Sequence, residues 1–163
     1  MNIALFYRAF RDISSSVHSS TDVKEVTGLA VKLITDAIKA KGAVLRILNL
    51  ETNSLELNAS YGLSDSYLSK GHVSSSNVIT ELCRENRVII IDDVQISPRV
   101  QYKREAREEG ITTMLDVPLT LENNIIGIIR IFFTEKRTFS DDELNFLVSI
   151  AEQCALAIEK ARL

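Results

Sequence analysis

Two long apolar segments joined by a two-residue polar turn constrain the fold more than any other feature of the chain. They run from Ile111 to Leu121 and from Ile125 to Phe133, and Glu122-Asn123 separates them. Asparagine tolerates the positive φ that a two-residue hairpin turn requires, so the pattern predicts two antiparallel strands. Because both segments are almost continuously apolar, we expect the pair in the middle of a sheet that is covered on both faces.

Three further segments have the patterns of strands. Ala43–Leu50 is nearly all apolar, which predicts another central strand. Leu55–Tyr61 alternates apolar and polar residues, which predicts a strand near the edge of the sheet with one face in water. The turn Glu51–Ser54 between these two is of hairpin length and makes them antiparallel neighbours. Val88–Ile91 predicts a short buried strand, and it ends at Asp92-Asp93.

Helical patterns occur at both ends of the chain and between the strands. Ser140 and Glu143 form a capping box at the start of the last helix, and Gly42 is placed to stop the second. The predicted helices are Asn2–Val17, a second from Ser20 or Thr21 to Ile38, a short one capped by Ser75 or Ser76, Gln101–Glu109 and Ser140–Leu163. Helices in these positions must cover both faces of the sheet. We therefore predict an α+β fold, with a central antiparallel sheet of five to six strands and helices on both faces.

Length and composition restrict the classes of partner. The chain has 163 residues, the size of one domain, and 19 basic against 22 acidic residues give a net charge of −3. Nucleic-acid binding is not expected, because its electrostatic footprint is a basic excess. No apolar run approaches the roughly 20 residues of a membrane span, and no signal peptide follows Met1, so we expect a cytoplasmic protein without a membrane partner. The isolated cysteines Cys83 and Cys154 fit a reducing compartment, although a disulfide between them remains an alternative.

Short stretches spread along the chain resemble the GAF family from about Thr21 to Leu163. They are Leu45-Arg46-Ile47-Leu48, Tyr61-Gly62-Leu63-Ser64, Ile91-Asp92-Asp93-Val94 through Ser97-Pro98-Arg99, Glu109-Gly110-Ile111, Val117-Pro118-Leu119, Ile126-Gly127-Ile128-Ile129-Arg130, and Ala151-Glu152-Gln153 with Ala155-Leu156-Ala157-Ile158-Glu159. The resemblance implies a PAS-like (profilin-like) sheet, a ligand cavity on one sheet face, and terminal helices that often build a dimer. It makes residues 1–163 a single GAF domain. Residues 1–18 are then a dimerisation helix, and residues 140–163 form a helix that continues into an output domain.

No catalytic, metal-binding or cofactor-binding residues are predicted. His18, His72 and the two cysteines have none of the spacings of a metal site, and no Gly-x-Ser-x-Gly elbow occurs. Some GAF proteins reduce free methionine sulfoxide with several clustered cysteines, whereas only Cys83 lies in the corresponding half of this chain. That thiol chemistry is kept as an alternative. No cysteine precedes a histidine as bilin attachment requires, and the segment Phe139–Glu143 is one residue short of a cyclic-nucleotide signature.

Two arginines in otherwise apolar strands are the main candidates for binding. A buried guanidinium needs a partner, a route to solvent or an anionic ligand, so Arg46 and Arg130 either hold a carboxylate or phosphate or pair with a loop acid such as Asp92 or Asp93. In the plain hairpin register Arg130 faces Leu115, which leaves Asp116 on the opposite face. The residues expected to line the cavity are Arg46, Tyr61, His72, Asp92, Tyr102, Met114 and Arg130. The charged helix Gln101–Glu109 is either a solvated face or a lid over the cavity.

Three functions follow from these observations. The first is a regulatory domain of a bacterial signal-transduction protein, such as a sensor histidine kinase or a cyclic-di-nucleotide enzyme, that senses a small and anionic molecule. The second is a ligand-free GAF fold that serves as a dimerisation module through its terminal helices. Apolar residues spaced three and four apart on both helices favour it, unless those stripes face the domain's own sheet. The third is the thiol-based reductase.

Overall fold

The order of elements places one antiparallel sheet between two helical layers. The computed structural model describes residues 3–85 and 88–162, so Asn2, Leu163 and the side chain of Cys83 lie outside the described part. The elements are α1 (Ile3–Ser19), α2 (Val23–Ile38), β1 (Gly42–Asn49), β2 (Ser54–Tyr61), α3 (Asp65–Leu68), α4 (Ser76–Glu85), β3 (Ile89–Ile91), α5 (Lys103–Glu108), β4 (Thr113–Leu121), β5 (Asn124–Phe133) and α6 (Asp141–Arg162). The strand order is β2-β1-β5-β4-β3 and every neighbouring pair is antiparallel. The predicted α+β fold is confirmed.

The hairpin of β4 and β5 lies in the middle of the sheet, as predicted. Glu122 and Asn123 form its turn with φ angles of 49° and 68°, the positive values that a two-residue turn requires. One residue of β5 is unmatched, because Thr120 pairs with Ile125 whereas Leu119 pairs with Gly127. This β-bulge moves the rest of the hairpin by one residue relative to the plain register.

The layer on one sheet face consists of α2 and α6, and α1 packs on both of them. Most of the apolar stripe of α1 and most of that of α6 are buried in this layer together with one face of β1, β4 and β5, whereas Ile3 at the start of α1 is exposed. Phe6 of α1 stacks on Phe146 of α6, with ring centroids 4.4 Å apart. The stripes on the terminal helices therefore face the domain's own fold, which removes the sequence observation that favoured a coiled-coil dimer.

The opposite sheet face is covered by α3, α4, α5 and the loops between them. Its apolar core contains Tyr67 of α3, Leu82 of α4 and Ala106 of α5, packed on sheet residues such as Phe132. Tyr67 meets Phe132 edge to face with ring centroids 5.6 Å apart. The stretch after β2 thus contains a one-turn helix that anchors it to the sheet.

Helix ends agree with the sequence prediction only in part. The capping box of α6 is confirmed, because the Glu143 amide donates to Ser140 Oγ at 3.1 Å and the Ser140 amide donates to Glu143 Oε1 at 3.0 Å. The cap of α2 is Asp22, which accepts from the Lys24 amide at 3.0 Å, and not Ser20 or Thr21. The left-handed stop of α2 is Lys39, with φ 58°, and not Gly42. Gly42 instead opens β1, where an added Cβ would lie 2.4 Å from the Tyr61 carbonyl oxygen.

Candidate functional site

An ion pair fixes Arg130 on the sheet face beneath α3, α4 and α5. Because of the bulge, Arg130 is directly opposite Asp116 and not Leu115. Its Nε donates to Asp116 Oδ1 at 2.6 Å, and its Nη2 donates to Oδ2 at 3.1 Å. Burial opposes the charge of Arg130, but Asp116 outweighs this effect and raises the pKa of the guanidinium. The expectation that Asp116 is no partner, and that Asp92 or Asp93 takes its place, was wrong.

Arg46 lies on the same sheet face without an ion pair to any described residue. It is only 5% exposed, and its Nη1 donates to the Leu55 carbonyl at 3.0 Å. Burial, followed by the positive charge of Arg130, lowers the pKa of Arg46 to about 10. The guanidinium remains charged at neutral pH, with the Leu55 carbonyl as a hydrogen-bond partner and no neutralising acid among the described residues.

Lys70 supplies a third positive charge from the loop that follows α3. Its Nζ lies 4.0 Å from the centroid of the Tyr67 ring and 5.9 Å from that of Tyr102, so both rings act as weak cation–π partners. Burial and the charges of Arg46 and Arg130 lower the pKa of Lys70 to about 8. We call Arg46, Lys70 and Arg130 the cationic cluster, and Asp116 is the buried acid beside it.

Two segments, residues 62–74 and 101–110, form a cover over the cluster and are bonded to each other at both ends. At one end Glu109 accepts from the Ser64 amide at 2.7 Å and from the Ser64 hydroxyl at 2.6 Å. Although burial opposes it, these bonds lower the pKa of Glu109. At the other end Tyr102 Oη and Gln101 Nε2 both donate to the His72 carbonyl. The charged helix, for which the sequence left a solvated face and a lid as alternatives, is therefore part of this cover.

A cavity of about 150 Å³ reaches Arg130 at the edge of the cover. Its walls are Val73, Ser74, Val78, Pro98, Arg99, Gln101 and Arg130. It has the volume of about five water molecules. A larger open groove, of about 710 Å³, runs along the outer edge of β3 beside Leu144 and Val148 of α6. No residue of the cationic cluster lines that groove. We therefore choose the candidate site by its buried charges and not by the size of the cavity.

The structure brings together some of the predicted site residues and separates others. Arg46, Met114 and Arg130 share the covered sheet face, and Tyr102 lies in the cover. His72 contributes its backbone carbonyl, whereas its side chain is exposed. Tyr61 is paired with Ala43, whose side chain belongs to the core of the opposite face, so Tyr61 is not in the site. The side chain of Asp92 is exposed, and its carbonyl accepts from Thr113.

Three residues of the site were missed by the sequence prediction. Asp116 was placed on the wrong face because the bulge was not foreseen, and Tyr67 and Lys70 were not among the residues expected to line the cavity. A tyrosine and a lysine that lie between Gly62 and Gly71 are ordinary loop residues by composition. Their position over the arginines depends on the path of the cover, for which the sequence carries no local signal.

A family model for the GAF domain matches residues 20–159, which is most of the chain. The chain belongs to the GAF domain family. A curated relative is the formate hydrogenlyase transcriptional activator of Salmonella typhimurium, which is 20% identical over 161 residues, 95% of this chain and 23% of that protein. The GAF domain described here thus spans about a quarter of the length of the curated relatives that it matches.

Solved structures share the fold over nearly the whole GAF domain. The GAF domain of a phosphoenolpyruvate-protein phosphotransferase from Coxiella burnetii has a TM-score of 0.85 at 23% identity, covering 99% of this chain and 97% of the other. A fragment of a methyl-accepting chemotaxis protein has a TM-score of 0.72 at 23% identity, covering 92% and 96%. The free methionine-R-sulfoxide reductase of Neisseria meningitidis, solved with its substrate, has a TM-score of 0.78 at 15% identity, covering 98% and 91%. Most of the similar structures are sensor or regulatory domains, and one is a reductase.

Among the described side chains, Cys154 is the cysteine that could carry out thiol chemistry. Cys154 is fully buried in α6, and burial raises the pKa of its thiol to about 12, which suppresses the reactive thiolate. The side chain of Cys83 lies outside the described residues. Within the described ranges no group of three or more potential metal ligands occurs. No described helix is both long and apolar enough to cross a membrane.

Proposed function

We propose that this GAF domain is a regulatory sensor that binds a small anionic molecule beneath its cover. The observation that carries the proposal is Arg46, a buried guanidinium with no ion pair among the described residues. A ligand carboxylate or phosphate would accept two hydrogen bonds from it, a geometry that guanidinium matches well. The proposal keeps the anionic ligand expected from the sequence and assigns Arg46, rather than Arg130, as its principal anchor.

The energetic reason is the difference between the two arginines. Arg130 is neutralised by Asp116, so a ligand gains little by approaching it. Arg46 has no such partner, and the neighbouring charge of Arg130 disfavours its charged state further. An anion at Arg46 therefore relieves an unfavourable burial, whereas an anion on a solvated surface arginine exchanges water for protein with little net gain.

A bound anion can influence the rest of the domain through the sheet. Arg46 lies on β1, and the opposite face of β1 packs on α2 in the layer that contains the terminal helices. Two arrangements of the terminal helices with different affinity for the ligand would pass its presence to a covalently linked output domain. That output domain, and a cytoplasmic location, are part of the proposal.

The test is binding of defined anions to the purified domain and to matched variants. Inorganic phosphate, sulfate, acetate and malonate are screened by thermal unfolding and isothermal titration calorimetry, and native mass spectrometry examines the freshly purified protein for a retained small molecule. We expect at least one anion to bind, and Arg46→Met to weaken that binding at least tenfold. The control is Arg11→Met, because Arg11 is an exposed arginine of α1 with a side chain 61% accessible. Equal affinity of Arg46→Met and wild type would refute the proposal.

Dimerisation through the terminal helices is a second candidate, favoured by one observation. Ile3 and Tyr7 of α1 are 66% and 65% exposed, although both are large and apolar in character. They border an open cavity of about 300 Å³ between α1 and α6. A second copy packed there would bury both side chains. Sedimentation equilibrium of wild type and Tyr7→Glu tests this: a dimer that Tyr7→Glu dissociates supports it, and a monomeric wild type excludes it.

A further inference from the structure

We propose that the ligand of this site carries two negative charges, and that Lys70 holds the second. The inference rests on the proposed function, because it assigns the chemical class of the molecule that binds at Arg46. The classes that fit are dicarboxylates, inorganic sulfate and phosphate monoesters. Lys70 lies on a different element from Arg46, so the two cations approach a ligand from the cover and from the sheet respectively.

The charges around Lys70 leave it without an acid of its own. The charged and titratable groups that act on it are Arg46 and Arg130 from the sheet and Glu105 and Glu109 from α5 and its end. Glu109 is bonded through both oxygens to Ser64, and Glu105 is paired with Arg104 at 3.3 Å. Neither acid therefore forms an ion pair with Lys70.

The ion pairs under the cover favour a dianion as the ligand. The cationic cluster contributes three positive charges, and Asp116 neutralises one of them through its bidentate pair with Arg130. Two positive charges remain, at Arg46 and at Lys70. Tyr67 does not neutralise Lys70, because burial raises the pKa of Tyr67 to about 12 and keeps its phenol protonated. A singly charged ligand would leave one cation uncompensated in a partly buried site.

Ligand binding should consequently take up a proton at alkaline pH. With its pKa at about 8, Lys70 is about nine-tenths protonated at pH 7 and about one-quarter protonated at pH 8.5 in the ligand-free domain. A dianion beside Nζ favours the ammonium form and raises its pKa. Binding at pH 8.5 should therefore take up about three-quarters of a proton, and binding at pH 7 almost none.

The experiment is isothermal titration calorimetry with malonate and sulfate as dianions and acetate as the monoanion. Each titration is run at pH 7.0 and pH 8.5, in two buffers of different ionisation enthalpy, so that proton uptake is measured directly. Malonate and sulfate are fully ionised throughout this range, so any uptake belongs to the protein. The variants are Lys70→Met and Lys70→Arg, with Lys136→Met as the matched control, because the Lys136 side chain is 65% exposed.

We expect malonate or sulfate to bind wild type at least tenfold more tightly than acetate, with proton uptake at pH 8.5. Lys70→Met should lose that preference and the uptake, whereas Lys70→Arg should keep the preference and lose the uptake. Acetate binding as tightly as the dianions, with Lys70→Met unchanged and Arg46→Met impaired, overturns the inference and leaves the proposed function standing. Absence of binding by every anion overturns both. Circular dichroism confirms that each variant is folded.

Discussion

Removing the acid beneath the cationic cluster should destabilise the domain more than removing its partner arginine. Asp116 is 2% exposed, and its replacement by leucine leaves Arg130 and Arg46 as two neighbouring buried cations. Breaking a buried pair in this way costs roughly 3–5 kcal/mol of unfolding free energy. For a domain of this length that is a fall in Tm of about 6–20 °C. Arg130→Met should cost less, since a lone Asp116 can take up a proton whereas a guanidinium cannot release one.

Urea unfolding at pH 7, followed by circular dichroism, measures these free energies. The double variant Asp116→Leu with Arg130→Met removes both charges, and it should be within about 2 kcal/mol of wild type because no uncompensated charge is left. The control is Glu108→Leu, in an exposed pair with Arg104 whose loss should change stability by no more than about 0.5 kcal/mol. If Asp116→Leu and Glu108→Leu were equally stable, or if the two single effects simply added, the buried-pair argument would fail.

Two further predictions concern α6. Lys160 Nζ donates to the carbonyls of Val17 and His18 at 3.0 and 3.2 Å. Lys160→Met should therefore lower the free energy of unfolding by about 1 kcal/mol and accelerate hydrogen exchange at the end of α1. Unchanged exchange rates at the end of α1 would contradict a stabilising role for these hydrogen bonds. Because the pKa of the buried Cys154 thiol is raised to about 12, iodoacetamide at pH 8 should leave Cys154 unmodified in the native domain and modify it in urea, as judged by peptide mass. Native labelling at the rate of an exposed thiol would show that α6 opens locally.

The sheet was predictable from the sequence because its signals are local. The turn Glu122-Asn123 and the two apolar segments beside it determine a hairpin whatever surrounds them. The capping box of α6 involves only four consecutive residues. The bulge was not predictable in the same way. Its unmatched residue lies in a run of isoleucines and glycine around Gly127 that fits either register equally well, so the face of Arg130 could not be assigned.

The candidate site was predictable only where it is built from strands. Arg46 and Arg130 stand out as charges in apolar segments, and both lie on the covered face. Lys70 and Tyr67 carry no such contrast, because polar and aromatic residues are common in loops. Their contribution depends on contacts between segments about 40 residues apart, such as that between Ser64 and Glu109. Long-range contacts of this kind leave no periodic pattern in a single sequence.

The position of α1 affects how a conformational change in this domain would reach a neighbouring domain. Because α1 packs on α2 and α6, a displacement of the strands would reach α1 through those two helices. A segment attached to α1 would therefore respond to a shift of α2 relative to α6. The exit of α6 is tied by Lys160 to the end of α1. The two terminal helices and α2 thus form one packed unit, and any polypeptide joined to either end would attach to that same unit.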